Sequence, residues 1–304
     1  MAKPSPRTSV QRVTKAQEAQ SRKHESAPTA EGPATPVPTA VFTNILCAVD
    51  GTRSSTAAVR LAACLAGPGG HLTLLAVPAA SGYGPNATAA IDPSRVKDVL
   101  DRAERVADDA GVQSTTVVDP GGPPVKVILE RASHHDLLAI GAPVTSWLGG
   151  MLIGGVAVAA LSQFTTPMLV ARMSFTGSLR GRRILVASDG EEGSDLVVKL
   201  AGRLGLSQGA NVTLVNALGS ESEMRPRCIE AQARALELTL PGAGEACVEP
   251  GKAWDVILNA ATSTKAAMVV IGSRRLGGLR ALGSVSRRVV HDAPCSVLLV
   301  PPKQ

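Results

Sequence analysis

The strongest constraint on this chain is that it repeats itself. The run Ile45-Leu46-Cys47-Ala48-Val49-Asp50-Gly51 returns as Ile184-Leu185-Val186-Ala187-Ser188-Asp189-Gly190, and further matches follow in the same order. His71 to Val77 is echoed by Asn211 to Ala217, Val127-Ile128-Leu129 by Val256-Ile257-Leu258, and Leu137 to Gly141 by Met268 to Gly272. Thr166-Pro167-Met168-Leu169-Val170 is matched by the run that begins Ala293-Pro294-Cys295 and ends at Val300. The offset shrinks along the chain, as loop deletions produce. With 304 residues, each copy is long enough to bury a core of its own.

Within each copy, apolar runs alternate with stretches of helical period, such as Val59, Ala62, Ala63 and Leu196, Val197, Leu200, Leu204. Continuous apolar strands separated by helices predict a parallel sheet covered on both faces, so each copy reads β-α-β-α-β-α-β-α-β. Ser54 or Ser55 is expected to cap the first helix of copy one, and Ser194 that of copy two. Aromatic residues are scarce (Trp 2, Tyr 1, Phe 3), so the cores must be built from small aliphatic side chains. The same scarcity argues against nucleic acid, because single-stranded binders stack bases on aromatic rings.

The segments outside the repeat divide the chain. Residues 1–40 are rich in Pro, Ser, Thr and charge without apolar periodicity, and are expected to be a disordered basic tail. That tail holds half of the formal +6 charge. The expected organisation is a first domain over 41–172, a linker over 173–181 and a second domain over 182–304. The apolar, uncharged segment from Trp147 to Leu161 is too short to span a bilayer and reads as loop plus buried helix. No secretory leader is visible, and five scattered cysteines without metal-ligand spacing fit reduced thiols in the cytoplasm.

In a doubly wound sheet, ligands bind beyond the carboxyl ends of the strands. Each copy brings two chemical elements there. Asp50 and Asp189, each followed by glycine, end strand one; such a carboxylate can accept from a ribose hydroxyl or an adenine amine, or can cap a helix. After strand four come Gly141 through Gly154-Gly155 in copy one and Gly272-Ser273-Arg274-Arg275 through Gly283-Ser284-Val285-Ser286 in copy two. Glycine-rich turns that open a helix let backbone amides approach a phosphate. Arg274, Arg275 and Arg280 add charge that matches phosphate oxygens, or that faces solvent. His134-His135-Asp136 reads as a helix end rather than a metal site, and no hydrolase elbow, metalloprotease or Walker motif appears.

A strand ending V-D-G or S-D-G, a later strand ending I-G-S-R, then G-S-V-S and A-P-C-S-V-L-L-V, together resemble the universal stress protein family over residues 43–171 and 182–302. The resemblance implies an α/β fold of two tandem Rossmann-like (adenine nucleotide α-hydrolase-like) domains, each a five-stranded mostly parallel sheet. It also implies ATP or another adenine nucleotide as ligand. ATP-binding members carry a loop of the form G-x2-G-x9-G-(S/T), with the strand-one Asp and the residue ending strand two holding adenosine. Carried over, this points to Asp189, Ala217, Gly272, Arg274, Gly283, Ser284, Val285 and Ser286 in copy two, and to Asp50, Gly141, Gly154 and Gly155 in copy one. In copy one Val144 replaces the middle glycine and Gly155 the hydroxyl residue. In copy two Arg275 replaces the middle glycine and the span is shortened, yet Ser284 and Ser286 remain, so copy two is the expected site.

The resemblance implies further that the two domains pair within the chain, in place of the side-by-side dimer of single-domain relatives. A homodimer of the whole chain stays open, and no membrane partner is expected. No residue stands out as a catalytic base or nucleophile, so enzymatic activity is expected to be at most slow ATP hydrolysis. A protein-interaction scaffold whose nucleotide sites have decayed is the competing reading, motivated by the apolar loop at Trp147 to Val158.

Overall fold

The computed structural model describes residues 40–78, 91–142, 145–147, 150–152, 155–161, 163–173, 175, 177–218, 225–240, 245–273 and 283–302. The expected tail over 1–40 lies outside them apart from residue 40. The first half runs β1 (Asn44–Ala48), α1 (Arg53–Ala66), β2 (His71–Ala76), α2 (Val96–Asp109), β3 (Gln113–Val118), α3 (Pro124–Ala132) and β4 (Leu137–Gly141). A small hairpin of β5 (Thr145–Trp147) and β6 (Gly150–Leu152) follows, then α4 (Gly155–Leu161) and β7 (Met168–Ala171). The second half runs β8 (Arg183–Ala187), α5 (Asp195–Gln208), β9 (Asn211–Leu218), α6 (Arg225–Thr239), β10 (Ala246–Pro250), α7 (Ala253–Ser263), β11 (Met268–Gly272), α8 (Ser284–Asp292) and β12 (Ser296–Val300). The expected alternation of strand and helix holds in both halves, and part of the expected loop after β4 is a hairpin.

Each half is a five-stranded parallel sheet, but the two are not separate. The strands form one ten-stranded sheet in the order β10-β9-β8-β11-β12-β7-β4-β1-β2-β3. Every pairing in it is parallel except at the seam, where β12 and β7 run antiparallel with Leu298 opposite Leu169. Antiparallel pairing of the two last strands relates the halves head to tail and removes two exposed sheet edges. The side chains at the seam, Met168, Leu169, Val170, Val297, Leu298 and Leu299, are all fully buried, so the junction is a continuation of the core.

The helices cover both faces. One apolar layer gathers residues of α1, α2, α5 and α6, the other those of α3, α4, α7 and α8, and each layer crosses the seam. The β5–β6 hairpin of the first half lies against α8 of the second, so the apolar loop seen in the sequence makes a contact within the chain. No helix among the described residues is long and apolar enough to cross a membrane.

The segment after β7 departs most from the expectation of a linker over 173–181. Phe175 and Leu179 are buried, and Arg172 is 0% exposed. Arg172 Nη2 donates to the carbonyls of Val290 (2.6 Å) and His291 (3.0 Å), and its backbone N–H donates to Ser296 Oγ (3.1 Å). A cation of the first half thus satisfies orphan carbonyls at the C-terminus of α8 and complements that end of the helix dipole. Its Nε and Nη1 are buried without a partner, and burial holds the guanidinium below its ordinary pKa.

Candidate functional site

The strand register sets the candidate site of the second half. Ala187 lies opposite Val215 on β9 and Ile271 on β11. Continued by two residues, the same register sets Asp189 level with Ala217 on one side and Ser273 on the other. Gly190 follows with φ 79°, a left-handed conformation that bends the chain away over the strand end. Gly51 does the same in the first half with φ 80°.

The first turn of α8 closes on this row. Ser286 Oγ donates to the carbonyl of Gly272 at 2.8 Å, which ties the helix start to the end of β11. The N-cap is Gly283, which offers no side-chain oxygen. The first bond into the helix runs from the N–H of Arg287 to the carbonyl of Gly283 (3.1 Å). The backbone amides of Ser284, Val285 and Ser286 are therefore the orphan donors of an uncapped helix start, with the positive end of the dipole behind them. One turn further in, the Arg288 guanidinium lies 5.0 Å from the centroid of the Trp254 ring and pairs with Asp292 at 2.5 Å.

Of the sequence-derived residues, Asp189, Ala217, Gly272, Gly283, Ser284, Val285 and Ser286 thus gather at one edge of the sheet. Arg274, with Arg275, Arg280 and Gly154, lies outside the described residues. Ser286 is buried and its hydroxyl is committed to Gly272, so of its donors the backbone N–H is the one left for a ligand.

Asp50, Gly141 and Gly155 occupy the corresponding edge of the first half, with different surroundings. Asp50 Oδ1 accepts from Thr52 N–H (2.9 Å) and Thr52 Oγ1 (2.6 Å). Gly141 is pressed against the start of α1: a Cβ there would lie 2.2 Å from Ser54 C and 2.3 Å from Ser55 N. At Gly272 the nearest atom would be Val197 Cγ2 at 3.1 Å, which leaves the strand end of the second half more open. Gly155 begins α4, a helix of 7 residues.

One expected cap differs from the sequence reading, and the other stands where expected without a capping bond. The N-cap of α1 is Thr52, whose side chain accepts from Ser55 N–H, while Ser54 and Ser55 are buried inside the helix. Ser194 stands at the N-cap of α5 but makes no capping bond; its hydroxyl donates instead to Asp189 Oδ1 at 2.7 Å. Glu191 N–H donates to the same oxygen at 3.0 Å. His135, read in the sequence as part of a helix end, bonds Thr73 Oγ1 (3.0 Å) and the Arg131 carbonyl (2.8 Å).

Beneath the Asp189 row lies a polar cluster that sequence reasoning missed. Ser188 Oγ donates to Gln232 Oε1 (2.5 Å), Gln232 Nε2 donates to Asp195 Oδ1 (2.7 Å), and Asn216 Nδ2 donates to the Ser188 carbonyl (2.8 Å). Ser188 Oγ also accepts from Gly190 N–H at 3.0 Å, so the cluster fixes the turn that carries Asp189. Asn216 is 1% exposed and its Oδ1 has no partner. The signal available in the sequence was the pair of polar residues, Ser188 and Asn216, at positions whose first-half counterparts are Val49 and Ala76. In the first half the same region is a cleft of about 20 Å3 lined by Val49, Gly51, Val59 and Val99 together with Ser55, Thr56 and Arg102.

The fold defines a doubly wound α/β protein, duplicated, whose second half brings Asp189 and the start of α8 to the same edge of the sheet. The chain belongs to the universal stress protein family, whose model matches residues 42–172 and 181–301. A universal stress protein of Thermus aquaticus, encoded in the QAH/OAS sulfhydrylase 3' region, is 34% identical over 134 residues, covering 39% of this chain and 98% of its own length. A solved universal stress protein from Archaeoglobus fulgidus aligns along 84% of this chain and 97% of its own, with TM-score 0.68 at 18% identity. Another, solved in complex with cAMP, covers 39% of this chain and 95% of its own length at 24% identity and TM-score 0.34.

Proposed function

We propose that this chain is a stress-response module that binds ATP or another adenine nucleotide at the strand-end crevice of its second half. Asp189 would accept from the ribose or the base beside Ala217, and the amides of Ser284, Val285 and Ser286 would hold the phosphates. The observation that carries this reading is the helix start at Gly283, whose first amides have no partner among the described residues, joined to Gly272 through Ser286. Among the described residues no group beside Asp189 and the α8 start is arranged as a nucleophile with its base, and binding is the proposed role.

The decisive test is calorimetric titration of ATP into the full chain and into Gly283→Asp and Asp189→Ala. A Cβ at Gly283 meets nothing within 4 Å, and its φ of −62° suits any residue. The new carboxylate caps the helix, raising stability by roughly a few tenths of a kcal/mol, and occupies the seat of the phosphate. The expected outcome is at least a tenfold loss of ATP affinity in a protein that melts higher. Absence of ATP binding by the unaltered chain refutes the proposal, and unchanged affinity in Gly283→Asp removes the helix start from it.

A further inference from the structure

Arg172 is the one charged side chain fully buried among the described residues. Its Nη2 serves the Val290 and His291 carbonyls at the last turn of α8, while Nε and Nη1 meet no partner. Among the described residues no ion pair neutralises it. Asp292, whose charge acts on it, gives Oδ2 to Arg288 (2.5 Å) and Oδ1 to His291 Nδ1 (2.6 Å). The Cys295 thiol, the other group whose charge would act on it, is pushed up to about 12 by burial and stays neutral at pH 7.

A helix end does not call for such a residue. A neutral donor would serve the two carbonyls, whereas a buried guanidinium is costly to desolvate unless its charge meets an opposite one. The negative end of the α8 dipole offsets part of that cost. The other half does without the cation. The position after β12 that corresponds to Arg172 is Pro301, which has neither charge nor N–H, and α4, the first-half counterpart of α8, has no basic residue in its last turn. The buried charge therefore serves one half only, the half whose helix start is left without a side-chain cap.

That start and Arg172 share one helix. α8 has 9 residues, so its ends stand roughly 14 Å apart at about 1.5 Å per residue. Ser286, Val289 and Val290 are buried along it, and the path between the ends runs through protein more than through water. At that distance, with an effective dielectric of about 20 to 40, each negative charge at the helix start is favoured by roughly three- to sevenfold. Salt shortens the reach toward the exposed part of a ligand, which makes the lower figure the relevant one.

We infer that Arg172 is a positioning residue for the anion site of the second half: held on the last turn of α8 by Val290 and His291, its uncompensated charge draws anionic groups to the first turn of the same helix. Given the nucleotide reading above, on which this rests, Arg172 discriminates by ligand charge and favours a triphosphate over a monophosphate. The first half thereby supplies a charge to the site of the second, across the seam of β12 and β7.

Calorimetric titration of ATP and of AMP into the full chain tests this with Arg172→Met, Arg172→Gln and Arg172→Lys. Methionine replaces the buried cation with an apolar chain, a change that is often neutral for stability. Glutamine keeps a donor for the carbonyls without the charge, and lysine keeps the charge. Both uncharged variants are expected to lose at least tenfold in ATP affinity, with a loss for AMP at least threefold smaller, while Arg172→Lys stays within threefold of the unaltered chain for ATP. An ATP affinity unchanged in either uncharged variant, equal losses for ATP and AMP, or an Arg172→Lys as weak as Arg172→Gln overturns the inference and leaves nucleotide binding in place. An unaltered chain that binds neither ligand overturns the nucleotide reading as well.

Discussion

The two halves of the chain share strand order and the Asp-Gly turn, and differ in what stands around that turn. In the first half the strand end is tightly closed: Gly141 abuts the backbone of Ser54 and Ser55, and Val49 and Ala76 stand where the second half has Ser188 and Asn216. In the second half Gly272 has room, and Ser188, Asn216 and Gln232 form a buried polar cluster whose Ser188 hydroxyl grips Gly190. Duplication therefore left two strand ends that are alike in topology and unlike in chemistry. A buried polar cluster is costly unless its members are paired, so its presence in one half fixes the turn carrying Asp189 where an apolar core would only have packed beneath it.

The sharpest way to break this comparison is to put the same methyl into both strand ends. Gly141→Ala drives a Cβ into backbone atoms that cannot swing aside, and we expect a loss of about 3 kcal/mol or more in urea unfolding. Gly272→Ala asks Val197 to yield by a few tenths of an ångström and should cost under about 1 kcal/mol. Equal costs would mean that the two ends are equally closed. A smaller effect is expected in the polar cluster. Ser188→Val, which installs the first-half residue, leaves Gln232 Oε1 and Gly190 N–H without their partner and should cost about 1–3 kcal/mol. Adding Gln232→Leu should recover part of that loss. Strict additivity of the two substitutions would show that the cluster does not act as a unit.

How far these differences could be read in advance depends on the range over which each is encoded. The parallel halves were legible because apolar runs such as Met268–Gly272 and Ile184–Ala187 carry their own period. The meeting of Asp189 with Gly272 was legible because strand ends in such a sheet face one crevice. The seam was not. Nothing local in Met168–Ala171 says that it pairs with Ser296–Val300 in the antiparallel sense, and nothing beside Arg172 announces the two α8 carbonyls that it meets. Gln232 was equally hidden, because an isolated polar residue in a helix reads as surface until the strand it packs on turns out to carry Ser188. The cap at Thr52 was displaced by competition between neighbouring hydroxyl residues, which spacing alone does not resolve.

The smallest effect concerns a contact the first half has and the second lacks. Arg131 pairs with Asp119 at 2.6 Å, and Gly121 N–H donates to the same carboxylate at 2.9 Å; the residue corresponding to Arg131 in the second half is Ala260. The Gly121 N–H, then the Arg131 guanidinium, hold the Asp119 carboxyl below its ordinary pKa of 3.8. A carboxyl with a depressed folded-state pKa contributes stability above its unfolded value and loses it as the pH falls through the folded one. Asp119→Asn should therefore cost less than about 1 kcal/mol at neutral pH, since the pair is partly exposed to solvent. The gap to the unaltered chain should close as the pH drops below about 4. A gap that persisted undiminished at pH 2 would trace the loss to packing against α3 instead of charge, and would remove this ion pair from the features that set the halves apart.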